Sequence, residues 1–265
     1  MCEWKEKYRD SFLDEMLRWE GRGDAWVDGP SPCGDCAARG KESCNDGQFR
    51  CDDCFIPSLL CQQCCVRRHR MLPFHVIQKW TGTAFVKTSL KELGLRLQLN
   101  HVGSPCPNPE PCHQNFHVLH TNGIHEVKLD FCNCTRTIAK YRQLLRRRLY
   151  PATSEQPRTC ATFELLRQMH TISLTSKCAT YDFYRALEKL TDGIGVGVAK
   201  SKYRPFLRMG LQWRHLKMLK RGGRGHDESG AKGTKEGDLA IRCPSCPYPG
   251  INLPEGWEKA SASEK

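Results

Sequence analysis

Between Cys33 and His75 the sequence sets out eight soft metal donors as Cys33-x2-Cys36-x14-Cys51-x2-Cys54-x6-Cys61-x2-Cys64-x4-His69-x5-His75. A Cys-x2-Cys turn lets two sulfurs meet one ion at about 2.3 Å each, and a tetrahedral ion such as zinc then needs a second pair from elsewhere in the chain. Three cysteine pairs and a histidine pair supply two tetrahedral sites. Closed four-ligand sites are structural, because catalysis at zinc keeps one position open. The competing reading is a set of disulfides. The N-terminus, MCEWKEKYRD, carries charge where a signal peptide needs an apolar core, and no later run approaches the length of a membrane span. The chain is therefore expected to be intracellular, with reduced cysteines holding zinc. Cys44 and Cys65 are left over as small thiols, although either can replace a neighbour in a ligand set.

The same spacing resembles a B-box zinc finger, in which alternate pairs share a metal in a cross-brace. That resemblance implies that Cys33, Cys36, Cys61 and Cys64 bind one ion and Cys51, Cys54, His69 and His75 the other. Asp52 and Asp53, inside this module, read as turn formers.

Further along, Cys132-x-Cys134 follows an alternating run, where residues two apart on a strand face the same way and can chelate one ion. The pair needs two more ligands. His101 and Cys106 rank first and Cys112 next, and a four-cysteine site with Cys243-x2-Cys246 stays open. On a regular strand His125 shares the face of Val127 and Phe131, away from the two sulfurs. Cys243-Pro244-Ser245-Cys246 is itself a zinc-knuckle type of turn that His215 or His226 can complete. His113, His117, His120 and His170 read as surface or packed histidines, and Cys2, Cys160 and Cys178 as ordinary thiols.

The elements that must position these ligands point to an α+β chain, in which small zinc-stabilised modules with short strands and a hairpin precede a mostly helical half. Trp4, Tyr8, Phe12 and Met16, with Leu13 and Leu17 alongside, make residues 4–19 an amphipathic helix whose stripe is most simply core packing. Gly21, Gly23, Gly29, Pro30 and Pro32 break it. Leu93, Leu95, Leu97 and Leu99 alternate as a strand does, and Asn122-Gly123 centres a hairpin over 116–131. Helical spacing follows over 137–149, 161–172, 180–191 and 203–219, and residues 221–240 look like a mobile loop. The expected organisation is an N-terminal helix and linker (1–30), a double zinc module (31–80), a second cysteine-cluster domain (81–257) and a tail (258–265).

The stretch from about 74 to 257 carries the phrases PFHVIQKWTG, LGLRLQLNH, NGIHEVKLDFCNC, YPAT, TCATFELL, QWRHLKMLKRGGRGHD and CPSCPYPGINLPEGW. Together they resemble the Cys-x-Cys type cysteine-cluster domain associated with KDZ (Kyakuja, Dileera, Zisupton) transposases of mobile elements. Asn100 stands where that pattern has glycine, and Cys112 is outside it. In such proteins a catalytic domain with an acidic metal-binding triad follows the cluster, so the resemblance implies an N-terminal fragment or a degenerate copy without the catalytic domain, acting in the nucleus.

Lysine and arginine outnumber acidic residues 41 to 29, for a formal charge of +12. This favours an anionic partner, although a zinc site of four thiolates itself carries about −2. Lys140, Arg142, Arg146, Arg147 and Arg148 lie on one expected helix, and Arg214, Lys217, Lys220, Arg221 and Arg224 cluster near the end of another. Such residues can neutralise phosphates without reading bases. The leading expectation is a non-catalytic, zinc-binding region that helps a transposase engage DNA or protein. A B-box-type protein-interaction adaptor is the alternative, although no long heptad coiled coil accompanies the module. A zinc deaminase is the remote one: His226-Asp227-Glu228 ahead of Cys243-x2-Cys246 is similar to that signature, but no proline precedes Cys243 and a Gly-rich segment is a poor holder of a general acid. No phosphate-cradling glycine loop marks a small-molecule site.

Overall fold

The structure is a computed structural model that describes residues 2–23, 31–41, 46–56, 58–99, 101, 104–134, 138–193, 200–241, 243, 245–253, 255–259 and 261. Gly29, Pro30, Cys44 and Asn100 lie outside the described residues, as does the side chain of Cys2. The chain divides into two compact units, Met1–Leu211 and Gln212–Lys265. No helix is long and apolar enough to cross a membrane.

Unit 1 begins with α1 (Cys2–Lys7) and α2 (Arg9–Glu20), joined through Tyr8, whose amide and carbonyl keep the helical hydrogen bonds to Trp4 and Phe12. The expected helix forms, but its stripe is not core. Trp4, Tyr8, Phe12, Leu13, Met16 and Leu17 are all exposed, Met16 at 70%. The helix is tied down at one end: the Arg50 guanidinium donates to the carbonyls of Trp19 and Gly21 and lies 4.6 Å over the Trp19 ring.

A three-stranded antiparallel sheet of β1 (Phe49–Cys51), β2 (Ile77–Trp80) and β3 (Phe85–Thr88) follows, with α3 (Gly34–Ala37) and α4 (Gln62–Arg68) beside it. Half of its buried core is cysteine. Cys33, Cys36, Cys51, Cys61, Cys64 and Cys65 are buried with Phe49, Leu60 and Ile77, and the cluster extends to Leu90, Leu93 and Leu95. Gly47 allows the chain to pass Leu59, whose backbone would meet an added Cβ at 3.0 Å.

The alternating leucines form less strand than their spacing predicts. Only β4 (Arg96–Gln98) is regular, because Leu93 and Leu95 turn into the sulfur-rich core while Leu97 and Leu99 pack in the next one. β4 pairs parallel to β8 (Lys128–Cys132), which pairs antiparallel to β5 (Pro109–Pro111). The hairpin also differs from one continuous pair of strands. β6 (His117–His120) and β7 (Gly123–Glu126) pair with His120 opposite Gly123, so Thr121 and Asn122 form the tip. The chain then changes sheets at Val127, and β8 begins.

β6 is flanked on its other side by β10 (Thr159–Thr162), itself paired with β9 (Leu149–Pro151). The helix expected over 137–149 is shortened to α5 (Lys140–Arg146), since Leu149 enters β9. Thr162 caps α6 (Phe163–Thr175) by accepting from the Leu165 amide. α7 (Thr180–Thr191) follows, and buried Tyr184 accepts a hydrogen bond from the Lys202 amide at 2.6 Å. α8 (Tyr203–Arg221) buries Phe206 and Met209 in unit 1, and the boundary with unit 2 falls within it.

In unit 2, residues 222–240 are mostly turns with one 3-10 segment, Gly230–Gly233. Arg224 gathers them by pairing with Asp227 and Asp238, each at 2.6 Å, while Arg221 donates to the Leu239 carbonyl. The segment read as a mobile loop thus has its own ion-paired organisation.

Gly123 sits at φ 148° with Thr191 against it, where Thr191 Oγ1 accepts from the Ile124 amide and donates to the Leu187 carbonyl. An alanine Cβ would lie 3.2 Å from that oxygen and occupy a backbone region strained by about 1–3 kcal/mol. Gly123→Ala should therefore lower unfolding stability by about that amount in urea titration, whereas Gly40→Ala, which meets no atom within 4 Å, should show only the backbone strain of its own positive φ.

Candidate metal centres

Three groups of four ligands converge in unit 1: Cys33, Cys36, Cys61 and Cys64; Cys51, Cys54, His69 and His75; and His101, Cys106, Cys132 and Cys134. Within each, the ligand atoms lie within 4.8 Å of one another, and each group can hold a metal ion.

Local structure explains the first group. Cys33 and Cys61 stand at the N-caps of α3 and α4, so Cys36 and Cys64 project from the first turn of each helix. Arg67 joins the helices by pairing with Asp35 at 2.7 Å, and its guanidinium also lies 3.7 Å from Cys64 Sγ. The second group takes Cys51 from the end of β1, Cys54 from the turn beyond, His69 from the end of α4 and His75 from the approach to β2. Asp53 fastens that turn by accepting from the Val76 amide at 2.6 Å and from Asn122 at 3.1 Å. His69 Nδ1 donates to the Cys65 carbonyl at 2.7 Å, which leaves Nε2 to face Cys54. This is the outer hydrogen bond that fixes the ring of a metal-binding histidine.

The third group joins a loop to a strand end. His101 and Cys106 lie between β4 and β5, and Cys132 ends β8. Gln143 on α5 clamps that end in both directions, accepting from the Cys132 amide and donating to the Cys132 carbonyl, each at 2.9 Å. Gln98 accepts from the Cys106 amide, and Arg147 donates to the His101 carbonyl.

Distances test whether a tetrahedral ion fits. Bonds of about 2.3 Å to sulfur and 2.0–2.1 Å to nitrogen set sulfur–sulfur edges of about 3.8 Å and sulfur–nitrogen edges of about 3.6 Å. Cys36 Sγ lies 3.9 Å from Cys61 and 3.4 Å from Cys64, and Cys106 lies 3.7 Å from Cys134. Cys54 Sγ lies 3.5 Å from His69 Nε2 and 3.6 Å from His75 Nδ1; His101 Nε2 lies 3.1 Å from Cys132 and 3.6 Å from Cys134. A disulfide would need about 2.05 Å, and these cysteines are free thiols. The donor sets fit an ion.

The thiols are polarised accordingly. Burial works to raise Cys33, but backbone amides at Cys61, Cys36 and Asp35 outweigh it and bring the thiol down to about 6. The Cys134 amide does the same for Cys132, also to about 6. Burial pushes Cys51 up to about 12 and Cys64 up to about 11, and it lowers His69, favouring the neutral imidazole that a metal requires.

The remaining sequence candidates separate from these groups. Cys65 is buried in the sulfur-rich core with its thiol pushed up to about 12 by desolvation, and Cys160 is wholly buried. Cys112 lies outside the third group, donating to the His113 carbonyl. His125 packs on Phe74 and His120 and bonds Asn122, and burial holds its pKa at about 4. Cys243 and Cys246 are exposed on unit 2, and among the described residues no third ligand converges with them. His215 and His226 are exposed, and Glu228 of the deaminase-like phrase is exposed as well.

The basic residues divide by role. Arg147 caps α5 and Arg148 adopts a positive φ of 58°, so neither continues the expected helix. Lys140 pairs with Glu110 at 2.5 Å, and Arg221 and Arg224 serve the turns of unit 2. Arg142, Arg146, Arg148, Lys217 and Lys220 are exposed, and Arg214 is half-buried. The structural jobs of Arg147 and Arg224 were missed at the level of sequence because their partners, a carbonyl 46 residues away and a turn of aspartates, carry no spacing signal.

No curated protein and no solved structure matches the chain. Residues 90–195, which hold the whole of the third ligand group, match the family described as CxC2 like cysteine cluster associated with KDZ transposases.

Proposed function

We propose that the chain is a zinc-stabilised, non-catalytic binding region of a KDZ-type transposase that works in the nucleus and assists the engagement of DNA. The observation that carries the reading is the closure of all three ligand groups, each with four protein donors and no position left for a substrate. Zinc is the ion of choice because the donors are thiolate and imidazole at tetrahedral spacing. Support for DNA comes from the exposed Arg142, Arg146, Arg148, Lys217 and Lys220, which suit phosphate contacts rather than base readout. The exposed apolar stripe of α1 and α2 favours a second reading, a protein-binding adaptor built on the same zinc scaffold.

Zinc counted by native mass spectrometry should give at least three ions per chain, and Cys36→Ser, Cys54→Ser and Cys132→Ser should each remove one. A chain purified without zinc and with oxidised cysteines would sink the proposal. Gln143→Leu should weaken the third site alone by about 10- to 100-fold, because it releases the backbone that presents Cys132. Competition with a chromophoric chelator reads that shift.

Duplex DNA binding should weaken steeply as salt rises, and the double variant Lys217→Ala/Lys220→Ala should flatten the log–log slope by about 2, near 0.9 for each phosphate no longer neutralised. Absence of duplex binding at low salt, together with salt-insensitive capture of a protein through the α1–α2 stripe, would replace the DNA reading with the adaptor.

A further inference from the structure

Cys243 and Cys246 pose a problem of number. A tetrahedral thiolate site takes four ligands, and this pair supplies two. Among the described residues of unit 2 no third cysteine, histidine or carboxylate joins them, and both stand exposed.

The turn that carries them is nevertheless built. The Cys246 amide donates to the Cys243 carbonyl at 3.2 Å, closing the knuckle. Tyr248 Oη accepts from the Cys243 amide at 3.2 Å, Asn252 donates to the Cys246 carbonyl at 2.8 Å, and the Tyr248 amide donates to Asn252 Oδ1 at 2.6 Å. Both cysteine backbones are thus held by the same small network, which is the supporting shell that metal ligands require. Two large apolar side chains on the flanking chain are uncovered: Ile241 is 76% and Ile251 64% accessible. Two preorganised thiols beside uncovered isoleucines suit a macromolecular surface better than a solvated ion.

We propose that Cys243 and Cys246 form half of a zinc site completed by the same two cysteines of a second copy of the chain, giving a metal-bridged dimer. A two-fold axis through the ion makes the interface self-complementary, so one surface supplies all four ligands and brings Ile241 and Ile251 of each copy under cover. The match is also chemical. The other closely spaced cysteine pairs among the described residues belong to the three groups of unit 1, and the exposed pair of a second copy is a donor set of identical chemistry and spacing. Binding releases the thiol protons to solvent as the four sulfurs become thiolates. The inference rests on zinc being the resident ion, as proposed above.

Light scattering and native mass spectrometry on the full chain with zinc test it, beside the double variant Cys243→Ser/Cys246→Ser. The expected result is a wild-type dimer carrying one ion more than twice the monomer's complement, and a monomeric variant that keeps its three ions. A chelator titrated against the dimer should remove the shared ion and halve the mass. A wild-type monomer with four ions, or one with three, would overturn the bridge, as would a dimer that persists in the double variant. Failure of the unit 1 groups reads differently, as a lower ion count common to both proteins.

Discussion

Four thiol or imidazole donors held within 4.8 Å of one another are the constraint on which unit 1 depends. Without a cation, such a group ionises unevenly: backbone amides bring the Cys33 thiol down to about 6, while burial pushes its neighbour Cys64 up to about 11. A cation at the centre removes the conflict by stabilising every thiolate together, and its binding energy becomes folding energy. The strands that carry the ligands are short, with β1 only three residues long, and half of the buried cluster that includes Cys33 and Cys61 is cysteine. The apolar core of this module is too sparse to define its loops, so the ligand groups must do so. Because Cys51 and Cys54 fall in sequence between the two pairs of the first group, neither centre closes without shaping the loop that feeds the other.

Around the ligands, polar side chains act on backbone. Asp53 holds the second group's turn to Val76, Gln143 grips both polar atoms of the Cys132 peptide backbone, and Arg147 takes the His101 carbonyl. These contacts set direction, which the ion alone cannot do, because a tetrahedral centre accepts many loop conformations that satisfy four bonds. They also commit several charges. Arg147, Lys140 and Arg224 each have a structural task, so the count of cations overstates the positive charge left uncommitted.

Much of this was readable in the residues. Paired cysteines at fixed spacing identify ligands because coordination chemistry constrains spacing tightly, and the helices of the second half keep their period because each buries one stripe. α6, α7 and α8 fall close to the segments expected for them. What eluded the sequence depends on where a segment goes next. Val127, Leu129 and Phe131 alternate as one strand continuing the hairpin, but the chain leaves one sheet at Val127 and enters another. Leu93 and Leu95 flank the exposed Gly94 in a turn, so their alternation marks burial without strand pairing. The stripe from Trp4 to Leu17 has the pattern of a buried face, yet it is exposed: periodicity records that a face is apolar and says nothing about what covers it.

Charge completes the physical picture. With zinc in the three groups, the thiolates offset the ions and leave a net charge of about −3 on the centres, so the loaded chain stands near +9 rather than +12. That remainder is unevenly spread along the sequence. Residues 2 to 20 hold four basic and six acidic side chains, whereas residues 200 to 224 hold nine lysines and arginines and no acid. Lys220 and Arg221 occupy the last turn of α8, where cations also meet the negative end of the helix dipole, so part of their value is local. Lys217, one turn earlier and exposed, has less of that local role. The net acidic, apolar helix of residues 2–20 and the basic stretch of residues 200–224 are thus opposite in charge, a contrast that the net figure for the whole chain conceals.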